Sequence, residues 1–218
     1  MMKFNFILFS LLLSINSCSD NRTKSVRALI TVNDDYFKFK KNFNSELISH
    51  FPEKITSEKS FVVCNTDRKK NDINLIFTEI DLTKSELKDI ENNIKGKYIA
   101  MYDFRDSCIL KVNSFETIET KENYIIIKNI DTSKINDICL SKKIPIPNFI
   151  DNSIYYKYDF WKDESNVIYV FEAKSGNYFK EYDLKANLQM PEKWKNGYSK
   201  GIVINKSKKS VIYWSIIW

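Results

Sequence analysis

The chain has 218 residues, long enough for one ordinary domain with a sizeable core. Its hydrophobic content of 43% and aromatic content of 14% exclude an intrinsically disordered polymer. The formal charge of +6 is spread along the sequence with acids mixed through it, which speaks for solubility and against a nucleic-acid partner.

The first element is an apolar run, Phe4 to Leu13, that follows Lys3 and is broken only by Asn5 and Ser10. It falls far short of the ~20 residues a spanning helix needs and fits the core of a secretory signal. It leads into Ile15-Asn16-Ser17-Cys18. This tetrad resembles a lipobox, with an aliphatic residue, a small residue before the cysteine, and Asn16 departing from the commoner small residue between them. The resemblance implies that residues 1–17 are a lipoprotein signal peptide and that Cys18 takes a diacylglycerol. The new amine of Cys18 would then be acylated. At ~0.8 kcal/mol per buried CH₂, two or three chains hold a protein where one would be marginal. Loss of Lys3 with the signal leaves one positive charge fewer than the +6 of the whole chain. Residues 18–27 then form a lipidated tether, polar from Ser19 to Ser25. At ~3.3–3.6 Å per residue the seven residues from Ser19 to Ser25 reach at most ~25 Å, so the domain at 28–218 would sit close to the membrane. Asp20 after the cysteine resembles the surface-export signal of Bacteroidota lipoproteins, which usually carries more acids. An outer-membrane location follows, with cell surface and periplasmic face both open.

Within the domain, Asp34 and Asp35 can cap a helix along which Tyr36, Phe39, Phe43, Leu47 and Phe51 recur at helical spacing. Pro52 ends it, and His50 falls in its last turn, where partial positive charge suits the dipole. Phe61 to Cys64 reads as a buried strand. In Ile73 to Ile80, the side chains of Ile73, Leu75 and Phe77 face one way and those of Ile76 and Ile80 the other. Thr83 with Glu86 writes a capping box, Leu82 and Leu87 a staple, and Gly96 a left-handed stop, which together predict a helix at 84–95. Tyr98 to Tyr102 reads as a strand, 103–106 as a turn, Cys108 to Val112 as the returning strand and Tyr124 to Ile127 as another. Pro145-Ile146-Pro147 forces an extended crossing. Val167 to Ala173 is a strand, and Tyr198 to Asn205 with Ser210 to Trp218 form a hairpin around Lys206-Ser207-Lys208-Lys209. The last strand is apolar on both faces: Val211, Tyr213 and Ile217 on one, Ile212, Trp214, Ile216 and Trp218 on the other. Such a strand belongs inside a sheet covered on both sides. The fold expected is α+β, one domain with a mostly antiparallel sheet, two main helices in the N-terminal half and a C-terminal β-hairpin.

Chemistry is thinly signalled. Cys64, Cys108 and Cys139 remain after Cys18. An exported compartment permits disulfides, and Cys108 with Cys139 is the candidate bridge, the alternative being three small buried apolar side chains. One histidine cannot build the usual zinc site or serve most nucleophilic dyads, so no metal, cofactor or catalytic set is assigned. Glu172 shares its strand face with Ile168 and Val170 by alternation, where a carboxylate could have a raised pKa and act as an acid. A glycan hydrolase would need a second carboxylate; Asp159, Asp163 and Glu164 lie nearby in sequence. The stretch 190–201 mixes aromatics, bases and turn residues. In it Trp194, Tyr198 and Lys195, flanked by Lys193 and Lys200, could stack on a sugar or hold an acidic ligand; the alternative is a loop whose tryptophan plugs the core.

The run from Trp194 to Trp218 is similar to that of small uncharacterised lipoproteins of Bacteroidota, a resemblance that implies a compact domain and no activity. The expectation is a membrane-anchored, non-enzymatic binding protein of the cell envelope, with a glycan or protein ligand and the membrane itself as partners. An envelope inhibitor or immunity-type lipoprotein and a carboxylate-dependent glycan hydrolase are the alternatives.

Overall fold

The computed structural model describes residues 31–57, 59–66, 71–113, 117–119, 125–127, 135, 138–149 and 165–218. The signal, the lipobox, Cys18, the tether, Tyr124, Asp159, Asp163 and Glu164 lie outside the described residues. The chain is α+β, built on a mostly antiparallel six-stranded sheet.

The helical part begins with α1, residues 31–40. Asp34 and Asp35 lie inside it and do not cap it. The expected single helix through Phe51 is broken: residues 41–44 form a turn and α2, Ser45–Ile48, follows. The cause is local. Asn44 turns its side-chain oxygen onto the Glu46 N–H at 3.0 Å and so starts a new helix. Tyr36, Phe43, Leu47 and Phe51 are nevertheless all buried, because the two pieces lie on the same face of the sheet.

Strands β1 (Phe61–Asn65) and β2 (Ile73–Glu79) pair antiparallel. Helix α3, Lys84–Ile94, carries the full capping box between Thr83 and Glu86, and Leu82 and Leu87 are both buried beside it. Gly96, at φ +75°, makes the left-handed exit. Strand β3, Ala100–Asp103, pairs with a late strand and not with 108–112 as expected for a hairpin. The chain after β3 is diverted by side chains. Asp103 Oδ1 accepts from Arg105 N (3.0 Å) and Asp106 Oδ1 from Cys108 N (2.8 Å). Cys108 is then tied to Cys139 by a disulfide, with Cα atoms 5.7 Å apart. Only Lys111–Val112 is strand (β4), and it pairs parallel with β7, Ile146–Pro147. Between these lie β5 (Thr117–Glu119) and β6 (Ile125–Ile127), paired with each other, and α4, Ile138–Ser141.

The second half supplies the long strands: β8 (Asn166–Ser175), β9 (Gly197–Asn205) and β10 (Ser210–Ile217). Sheet order is β1-β2-β10-β9-β8-β3, so β9 and β10 form the hairpin and β10 lies between β2 and β9. Its two faces enter two separate cores. Ile212, Trp214, Ile216 and Trp218 pack with Leu110, Ile146, Phe149 and Met190; Val211, Tyr213 and Ile217 pack with Tyr36, Leu47, Phe77 and Leu87. We call these the loop-side and helix-side faces. Gly201, on β9 opposite Trp214, is required by this packing, since a Cβ there would meet the Trp214 ring at 2.7 Å and the Tyr169 carbonyl closer still. No helix among the described residues is long and apolar enough to cross a membrane.

Candidate functional site

The aromatic and basic loop does not form the expected platform. Trp194 sits in a single 3₁₀ turn, Glu192–Trp194, and is 4% exposed. It packs beside Trp218 with ring centroids 6.0 Å apart, and the Trp218 indole N–H donates to the Trp194 carbonyl at 2.7 Å. Lys193 lies over the ring. The ring is therefore a plug in the loop-side core and presents no face for a sugar. Tyr198 is buried as well, but in the helix-side core, so the sheet separates the two aromatics. Lys195 is half-buried, and its carbonyl accepts from Asn187 N.

What Tyr198 does meet is Glu172. The alternation that placed Glu172 with Ile168 and Val170 is interrupted by a bulge: Val170 pairs with Gly201 and Glu172 with Lys200, leaving Phe171 extra. One extra residue turns every following side chain to the opposite face. Glu172 thus joins Phe171 on the helix side. Its Oε1 accepts from Tyr198 Oη at 2.9 Å and lies 2.8 Å from Lys174 Nζ, while its Oε2 lies 3.0 Å from Lys200 Nζ. Lys174, then Lys200 and Tyr198, pull its pKa down to about 2 against the opposing effect of burial. The expected raised pKa is reversed: at neutral pH Glu172 is a carboxylate fixed by two ammonium groups, with no proton to donate.

Lys200 links this cluster to a groove. Its ammonium also donates to the Glu46 carbonyl of α2 at 2.6 Å. Beside it opens a cavity of about 350 Å³ between the helix-side face, the turn after α2 and the last turn of α3. Its walls are Ile90 and Ile94 of α3, Phe171, Ile202 and Tyr213 of the sheet, and His50; its polar margin is Ser49, Asn93, Lys97 and Lys200.

His50 is not the charged end of a helix. Its Nε2 lies 3.1 Å from both the Gly201 and the Trp214 carbonyl oxygens, so Nε2 carries the hydrogen and shares it between them. The ring stands edge-on to Phe51 and Phe171. Burial, aided by the charge of Lys200, lowers its pKa to about 3 despite the two carbonyls that favour the cation. Nδ1 is buried and has no hydrogen-bond partner among the described residues. His50 is a neutral pin between the α2 segment and the two central strands.

A second cavity, about 270 Å³, lies against 104–109 and β7. Its charges are already engaged, Arg105 with Asp103 and Asp106 with Lys143, and Lys111 is not free either. In the first groove Asn93 and Lys97 have no side-chain hydrogen bond or ion pair among the described residues, so that groove is the stronger candidate. Lys200 stood out in the sequence through its aromatic neighbours. Asn93 and Lys97 carried no signal, because one faces solvent on a helix and the other follows a glycine stop. Cys64 is free and half-buried on β1, and burial pushes its thiol up to about 11, away from nucleophile behaviour. No set of three or more His, Cys, Asp or Glu among the described residues is arranged for a metal ion. No family model, no curated protein and no solved structure matches this chain.

Proposed function

We propose that the protein is a lipid-anchored binding protein of the bacterial envelope, held at an outer membrane through Cys18, with a small ligand seated in the groove between α3 and the helix-side face of the sheet. The observation that carries this reading is the groove itself. At about 350 Å³ it falls in the ~300–1,000 Å³ range of small-molecule sites, with apolar walls and, at the rim, Asn93 and Lys97 without a side-chain partner among the described residues. The state of the two strongest acid–base candidates supports binding over catalysis. Glu172 is ionised and fixed by Lys174 and Lys200, and His50 is neutral with its N–H given to main-chain carbonyls.

Two experiments test the two halves. Labelled palmitate is expected to enter the wild-type chain in cells and to be absent from Cys18→Ser; equal labelling would remove the anchor. Native mass spectrometry of the full chain released from its own membranes is expected to show a bound small molecule. Asn93→Trp, whose indole fills the mouth of the groove, should lose that mass at an unchanged melting temperature. A wild-type chain without ligand, or retention by Asn93→Trp, would overturn the groove assignment.

A further inference from the structure

We infer that the ligand of this groove is a monoanionic amphipath, a short apolar body ending in a single negatively charged head that meets Lys97. The inference rests on the groove being the binding site and goes on to name the class of compound.

Charge makes the case. Among the described residues the groove is lined by two lysines and by no aspartate or glutamate. Lys200 is already held by Glu172 at 3.0 Å and by the Glu46 carbonyl at 2.6 Å. Lys97 makes no ion pair among the described residues and is exposed at the rim. The cluster behind the rim adds no surplus of negative charge, since Glu172 lies between two ammonium groups. The His50 ring is neutral, because desolvation outweighs its two carbonyl partners, so the floor is uncharged. The walls are Ile90, Ile94, Phe171 and Ile202, which favour a hydrocarbon or aromatic body. Asn93, in the last turn of α3, lines the same groove as Lys97 and offers an amide N–H₂ there. A cationic ligand would meet Lys97 with no carboxylate to offset it. A neutral one would gain no attraction from Lys97.

Calorimetric titration of the full chain in nanodiscs, with empty nanodiscs as control, would compare hexanoate, hexan-1-ol and hexylamine. These share one apolar body and differ in the head. Hexanoate is expected to bind about tenfold more tightly than hexanol, a difference of ~1.4 kcal/mol, and hexylamine more weakly than either. Lys97→Gln should bring hexanoate to the affinity of hexanol and leave hexanol unchanged. Hexanol binding as tightly as hexanoate would overturn the anionic head while the groove stands. Binding of none of the three would overturn the groove itself. Lys97 near the end of α3 could also serve only to offset the helix dipole; a lower melting temperature in Lys97→Gln with the hexanoate preference intact would show that, and would likewise overturn the inference.

Discussion

His50 places a titratable ring where it cannot easily take a proton. Its pKa is lowered from 6.5 to about 3 in the folded chain, chiefly by burial. As pH falls below ~6.5 the unfolded chain binds this proton first, so the unfolded state gains and stability declines until about pH 3, with a slope approaching ~1.4 kcal/mol per pH unit. Glu172 and Asp103, both held near 2 by their hydrogen-bond and ion-pair partners, contribute in the same direction only below ~4.5. Glu79 works the other way, since burial raises its pKa and folding favours its protonated form. Between about pH 6.5 and 5 the difference between the wild type and His50→Gln isolates His50, because Glu79 titrates in both. Urea unfolding at intervals across this range should show His50→Gln, which cannot titrate at that position, losing less stability than the wild type as pH falls. Equal slopes would refute the assignment. The position of His50 near a helix end was legible in the sequence. Its neutrality was not, because that depends on burial against strands far along the chain, which outweighs the carbonyls of Gly201 and Trp214. Glu172 was misplaced for a related reason: a bulge at Phe171 has no local sequence mark, yet it moves the carboxylate to the other face of the sheet.

At the scale of elements, legibility follows how local the determining forces are. Helix α3 was readable almost to the residue because its cap, staple and stop all lie within its own sequence. The long strands were readable because the two cores impose an alternation on them, interrupted in β8 at the Phe171 bulge. The region from β3 to β7 was not, since its path is set by side-chain turns at Asp103 and Asp106 and by the Cys108–Cys139 bond. That bond closes a loop across a sequence separation of 31. In the chain-entropy treatment such a loop contributes ~3–4 kcal/mol by restricting the unfolded state. The double variant Cys108→Ser/Cys139→Ser should accordingly unfold at lower denaturant, with a loss of that order. Dithiothreitol should lower the wild-type midpoint and leave the variant where it is. A variant as stable as the oxidised wild type, or one still sensitive to reductant, would show that the bridge does not support the β4–β7 region.

The whole molecule depends on its last strand. β10 pairs with β2 on one side and β9 on the other, and every residue from Ser210 to Trp218 is buried. The side chains of β10 alternate between the two hydrophobic cores, so this one strand joins the N-terminal helices and strands to the long strands of the second half. Trp218 closes the assembly: its backbone exchanges hydrogen bonds with Gly197, and its indole reaches Trp194. Deleting residues 210–218 would uncover β2 and β9 as two apolar edges with unpaired backbone groups, a template for association with other chains. It would also remove a wall from both cores at once. The truncated chain is expected to be insoluble or to lack a cooperative thermal transition, as read by near-ultraviolet circular dichroism and calorimetry. A soluble truncation with a sharp melt would mean that each half of the sheet is stable without the other, and that the groove at the helix-side face is held by α3 and its neighbours and not by the completed sheet.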